Sequence, residues 1–189
     1  APHGVDLDLY HPDGDKSAYN GGMFWHTVHY VDAGLSTHRS YPAAPGVPGG
    51  GPSTGHLYAE GLWLCHLLTG DRDALAAVVQ LGEYVLSADD GHRTVFRFLD
   101  RGATGHVSNS GFDDYHGPGR SGANAITALL TAHRATGDER FLDKADELVR
   151  RCIHPDDDLE ALDLLDADRK WFYTMFLQSL GGYLDRRIE

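Results

Sequence analysis

The sequence is short of cysteine, of positive charge and of long apolar runs, and each shortage excludes something. Its two cysteines, Cys65 and Cys152, both fall in apolar helical settings, so two buried thiols are expected rather than a disulfide framework. Lysine and arginine number 16 against 28 aspartates and glutamates, giving a net charge of −12. A nucleic-acid partner needs a basic face to meet phosphates and is not expected here. The balance still allows a neutral ligand, or an anionic one met by a local basic patch. No apolar run approaches the length of a membrane span and no signal peptide stands out, so no membrane partner is expected. The first residue is Ala1 rather than Met, which would suit either a cleaved leader or an artificial start. A secreted or periplasmic location is favoured, with the cytoplasm left open.

What is present suits a globular domain. Hydrophobic residues make up 41% of the 189 positions and charged residues 23%, enough for a core. Twelve His, nine Tyr and three Trp are a heavy load of rings, and many fall in Gly-rich connections. Loops carried on a rigid scaffold are where binding side chains concentrate.

The organising signal is a repeat. Thr69-Gly70-Asp71 and Thr136-Gly137-Asp138 lie 67 residues apart, each inside a helix–turn–helix pattern. Gly ends the first helix of each pair, and Asp caps the second. At the same offset Leu75 matches Leu142, Leu81 matches Leu148 and Gly55 matches Gly122. The hairpins are expected at about 53–88 and 121–153, with a last, unpaired helix at about 170–187. Residues 1–22 are turn-rich and are expected to form an irregular arm; 23–189 form the domain. Residues 23–35 are ambiguous between helix and extended chain, with helix favoured. The 89–119 connection is long enough to be functional, and its Val95–Leu99 stretch would suit a small strand. The fold class expected is all-α, built of repeated helical hairpins in an arc or fragment of an α/α toroid. Six hairpins at this period would take about 400 residues. Another copy, subunit or domain is therefore expected to complete the ring.

At Ser53-Thr54-Gly55-His56-Leu57-Tyr58-Ala59-Glu60-Gly61-Leu62, running to Thr69-Gly70-Asp71, the sequence resembles the α/α-toroid domains of carbohydrate-active enzymes. It is most similar to exo-acting rhamnogalacturonan lyases and their uncharacterised bacterial relatives. The upstream His26-Thr27-Val28-His29 matches the His-rich segment that precedes this stretch in the family. The resemblance covers about residues 20–150, and the family's flanking β domains have no counterpart here. It implies carbohydrate processing by a polysaccharide lyase-like protein, with a uronate-containing glycan as partner.

β-Elimination at a uronate needs the carboxylate neutralised, a base near C5 and an acid for the leaving oxygen. Candidate catalytic residues are His56, Tyr58, Glu60, Arg39 and His29. On a helix, His56 and Glu60 would share a face, being four apart. The plainer alternative is that His56 only finishes a helix start and Tyr58 packs in the core. Candidate substrate-binding residues are Trp25, His38, Tyr41, Tyr115, His116 and Arg120, rings and cations near the loops. A hydrolase would instead pair Glu60 with Asp113 or Asp114, and an epimerase would use His29 with His56 or His106. His26, His29 and Asp32 have a spacing able to hold a divalent cation, zinc if nitrogen dominates and calcium if oxygen does. A noncatalytic glycan-binding or assembly module would need the aromatic rings alone. Trp63 and Trp171, at helical spacing, are expected in the core.

Overall fold

The computed structural model describes Leu9 and residues 21–23, 54–89, 98–99 and 117–188. Among the described residues every regular element is helical. A short 3₁₀ turn, Thr54–His56, leads into α1 (Ala59–Thr69) and α2 (Arg72–Asp89); then come α3 (Arg120–Thr136), α4 (Glu139–Cys152) and α5 (Trp171–Ile188). Leu9 and Met23 meet as a single antiparallel bridge, and both are buried in the core. So two residues in or beside the segment expected to be an irregular arm belong to the packed domain.

The two Thr-Gly-Asp turns share most of their hydrogen bonds, each residue answering a backbone need. Gly70 and Gly137 adopt left-handed backbone (φ 73° and 71°), which glycine enters without strain, and donate to the carbonyls of His66 and His133 at 2.7 Å. Thr69 Oγ1 donates to the Cys65 carbonyl and accepts from the Asp71 amide; Thr136 does the same between Ala132 and Asp138. Asp71 Oδ1 accepts from the amides of Asp73 and Ala74, and Asp138 Oδ1 from that of Arg140, filling donors left open at a helix start. Each turn reverses the chain sharply, so α1 packs on α2 and α3 on α4.

Helix α3 is the centre of the fold, touching α1, α2, α4 and α5. Residues 121–126 are buried without a break, which only a helix enclosed on most sides permits. Its small residues Gly122, Ala125, Ala128 and Ala132 let the neighbours come close. Burying side chains such as Ile126, Leu129, Leu81 and Leu148, all at 0% exposure, contributes about 1.5–3 kcal/mol each. Two glycines mark the tightest crossings. A Cβ at Gly82 would stand 2.6 Å from Ala132 Cβ and 2.8 Å from Phe141 Cε1, and one at Gly122 would stand 2.8 Å from Cys152 Sγ. The last helix, expected at about 170–187, runs from Trp171 to Ile188 and packs along α3.

Several expectations need correction. Trp171 is half exposed, because apolar spacing marks a face of α5 but not whether a partner covers it. Trp63 is partly buried and packs against the core edge. Cys152 is buried as expected, whereas Cys65 is only partly so; both thiols are free. Phe98 and Leu99, the described part of the stretch read as a small strand, form an exposed turn.

Candidate functional site

The site begins where α1 differs from its counterpart. In the repeat register α3 starts six residues earlier than α1, because the chain before Ala59 winds into the 3₁₀ turn and then breaks at Leu57-Tyr58. His56 therefore does not share a helical face with Glu60: it ends the turn and is buried, whereas Glu60 lies exposed in the first turn of α1. Half of the plain alternative fails, since Tyr58 is 57% exposed rather than packed in the core, whereas His56 does close the turn that leads into the helix. Its ring meets that of His56 edge-on, with centroids 5.8 Å apart and planes at 78°. A buried imidazole thus backs an exposed phenol, an arrangement that limits where the phenol ring can go. The turn is pinned to α3 by Asn124, whose Nδ2 donates to the Gly55 carbonyl at 2.8 Å.

Beside this corner lies a groove of about 480 Å³, floored by α3 and walled by the start of α1 and by α5. Tyr58, Glu60 and Gly61 line one wall, Met175, Gln178, Ser179 and Gly182 the other. The floor carries Asn124, Thr127, Thr131 and Arg134, a polar stripe on the helix that is otherwise most buried. From Asn124 to Arg134 is ten residues, so the floor runs about 15 Å at the helical rise. Its hydroxyls are held in place: Thr127 Oγ1 and Ser179 Oγ lie 2.8 Å apart, and Ser179 donates to the Ala123 carbonyl at 2.9 Å. Thr131 Oγ1 donates to the Thr127 carbonyl. By contrast the side-chain polar groups of Tyr58, Glu60, Arg134 and Gln178 make no hydrogen bond or ion pair with the described residues. The groove therefore presents a fixed floor beneath four polar groups that have no partner among the described residues.

Of the sequence candidates, Tyr58 and Glu60 share a groove wall, with His56 behind Tyr58. Arg120 does not line the groove; its guanidinium sits over the Trp171 ring, 5.6 Å from the centroid. Arg39, His29, Trp25, His38, Tyr41, Tyr115 and His116 lie outside the described residues, as do His106, Asp113 and Asp114. The same holds for the metal candidates His26, His29 and Asp32. Among the described residues no three His, Cys, Asp or Glu side chains gather to hold a metal ion. No helix among them is long and apolar enough to cross a membrane.

Sequence reasoning missed Asn124, Thr131, Arg134 and Gln178. A signal was there for the first three: with Thr127 they stand at positions i, i+3, i+7 and i+10, one helical face. Arg134 also occupies the place of Leu67 in the repeat, a change from an apolar to a charged residue. Comparison with protein-family models, with curated proteins and with solved structures finds no match to this chain.

Proposed function

We propose that the groove over α3 binds a glycan, and that the chain is a carbohydrate-processing protein acting by lyase-like β-elimination on a uronate-containing substrate. The observation that carries this reading is the pairing of an exposed phenol and an exposed carboxylate on one wall of a polar groove. At neutral pH a carboxylate accepts a proton and a phenol donates one. Glu60 takes the C5 proton, the electron pair becomes the C4–C5 double bond, the C4–O bond breaks, and Tyr58 protonates the leaving oxygen. His56 acts behind Tyr58 by holding its ring. Arg39 and His38, outside the described residues, are the candidates for neutralising the substrate carboxylate.

The architecture in this proposal is an arc of an α/α toroid. Supporting it are the contacts of α1 with α3 and of α3 with α5, beside the lighter touching of α2 with α4. Such contacts suit an inner row and an outer row of helices. Leu64, Leu67 and Leu68 on α1 and Leu177, Leu184 and Ile188 on α5 are exposed, which suits edges covered by another chain or domain.

A noncatalytic glycan-binding module is the second reading, favoured by the exposed Tyr58 ring, which offers a flat face to a sugar. The hydrolase reading is weaker, since Glu60 is the single carboxylate among the described groove residues. The test is ultraviolet absorbance of unsaturated uronate during incubation with rhamnogalacturonan and other uronate glycans, with and without calcium. Absorbance should rise with the native chain and fall at least a hundredfold in rate with Glu60→Gln or Tyr58→Phe, the usual worth of a proton-transfer group. Binding without any rise would leave the module reading in its place. Neither binding nor a rise would remove both.

A further inference from the structure

The far end of the groove carries a cation that none of the assigned chemistry uses. Arg134 lies in the last turn of α3, exposed, lining the groove. Its guanidinium makes no ion pair with the described residues, although Arg140, Arg150, Arg151, Arg169 and Arg187 are each paired to a carboxylate. In a chain of net charge −12, a long cation in a cavity wall with no carboxylate partner among the described residues is unusual, because carboxylates are plentiful. It also stands where the repeat has Leu67, so the hairpin scaffold does not require it.

Its distance from the Tyr58 corner fixes what it can do. The corner is level with Asn124, which holds the Gly55 carbonyl, and Arg134 lies about 15 Å further along α3. Between backbone positions that span is longer than one sugar ring, which suits a subsite beyond the reacting sugar. We infer that Arg134 is a carboxylate-recognition residue at a subsite remote from the reacting sugar, so that the groove takes an acidic oligosaccharide rather than a single uronate. Gln178, on the α5 wall beside the Ser179 that meets Thr127, offers a donor and an acceptor to sugar hydroxyls between the corner and that subsite. The guanidinium meets a carboxylate with two parallel N–H donors, which lysine cannot reproduce. The inference rests on the groove being a glycan site.

The experiment is calorimetric titration of the full chain with a short oligogalacturonate and with its carboxyl-reduced, neutral counterpart of equal length. The native chain should prefer the acidic form by about tenfold, the scale of one charge-assisted contact at an exposed site. Raising salt should shrink that preference. Arg134→Gln should bring the two ligands to equal affinity, leaving the neutral one unchanged, and Arg134→Lys should restore only part of the preference. Because Arg134 is exposed and makes no ion pair there, melting temperatures should stay put. If the native chain binds both forms equally, or Arg134→Gln keeps the preference, the assignment is wrong and the glycan groove stands. If it binds neither form, the groove reading falls and this assignment falls with it.

Discussion

Replacing Lys144 with methionine should be among the most damaging single changes in the helical scaffold. Lys144 on α4 is 9% exposed, and its Nζ lies 2.7 Å from Oδ2 of Asp89, which is fully buried at the end of α2. The contact is close but off the hydrogen-bond axis, so its attraction is mainly coulombic; Asp89 Oδ1 has no hydrogen-bond partner among the described residues. Asp89 also sits at a helix C-terminus, where the backbone carbonyls already concentrate negative charge. Lysine therefore compensates a carboxylate that would be costly to bury alone. Removing one partner of such a pair costs about 3–5 kcal/mol, because the other charge remains inside. Glu147, 40% exposed and also within 3.0 Å of Lys144, should matter much less: Glu147→Gln should cost at most about 1 kcal/mol. The paired change Lys144→Met with Asp89→Leu should return most of the loss. Urea unfolding followed by far-ultraviolet circular dichroism reads all four proteins on one scale. If Lys144→Met costs less than about 1 kcal/mol, Asp89 does not depend on Lys144 and the reasoning fails.

Two further outcomes follow from the same packing. Gly82→Ala should destabilise by about 1–3 kcal/mol in urea, despite alanine's better helix propensity, because its Cβ would press on Ala132 and Phe141 at under 3 Å. Two groups should shape the pH profile from opposite ends. Burial, then the Asp89 charge, pushes the Cys152 thiol from 9.0 up to about 12. Its stabilising contribution is whole below pH 9.0 and is lost as pH rises toward 12. Arg150, then Tyr183, holds the Asp146 carboxyl at about 2 instead of 3.8, so its contribution is present above pH 3.8 and lost as pH falls toward 2. Cys152→Ala and Asp146→Asn should flatten the alkaline and acid limbs respectively, and a limb that keeps its slope refutes the corresponding assignment.

The sequence was most legible where structure is local. Thr69-Gly70-Asp71 and Thr136-Gly137-Asp138 each satisfy their own turn with their own side chains, so residue types alone reveal them. The boundaries of α2, α4 and α5 follow from those signals and from apolar spacing. What stayed hidden depends on contacts between distant segments. The break at Leu57-Tyr58, which buries His56 and exposes Tyr58, is held by Asn124 from 69 residues away. The exposure of Trp171 reflects what packs on α5, and Gly82 is needed only because α2, α3 and α4 converge there. The groove was half legible: its α1 wall lay in the stretch singled out, but the polar stripe of α3 reads as surface until α3 is known to be the central helix.

The central claim is that ligands occupy the groove over α3, and filling that groove tests it most directly. Gly182 lines it from α5, and among the described residues a Cβ there meets only Leu130 Cδ1 at 3.8 Å, an ordinary contact. Gly182→Leu should therefore keep or slightly raise stability, since glycine inside a helix costs about 1 kcal/mol against other residues. Its side chain would occupy the space between the walls. Calorimetric titration with oligogalacturonate should then show binding reduced at least tenfold in a protein that melts no lower than the native one. Unchanged binding in that fully folded variant would contradict the account, because the glycan would have to sit elsewhere.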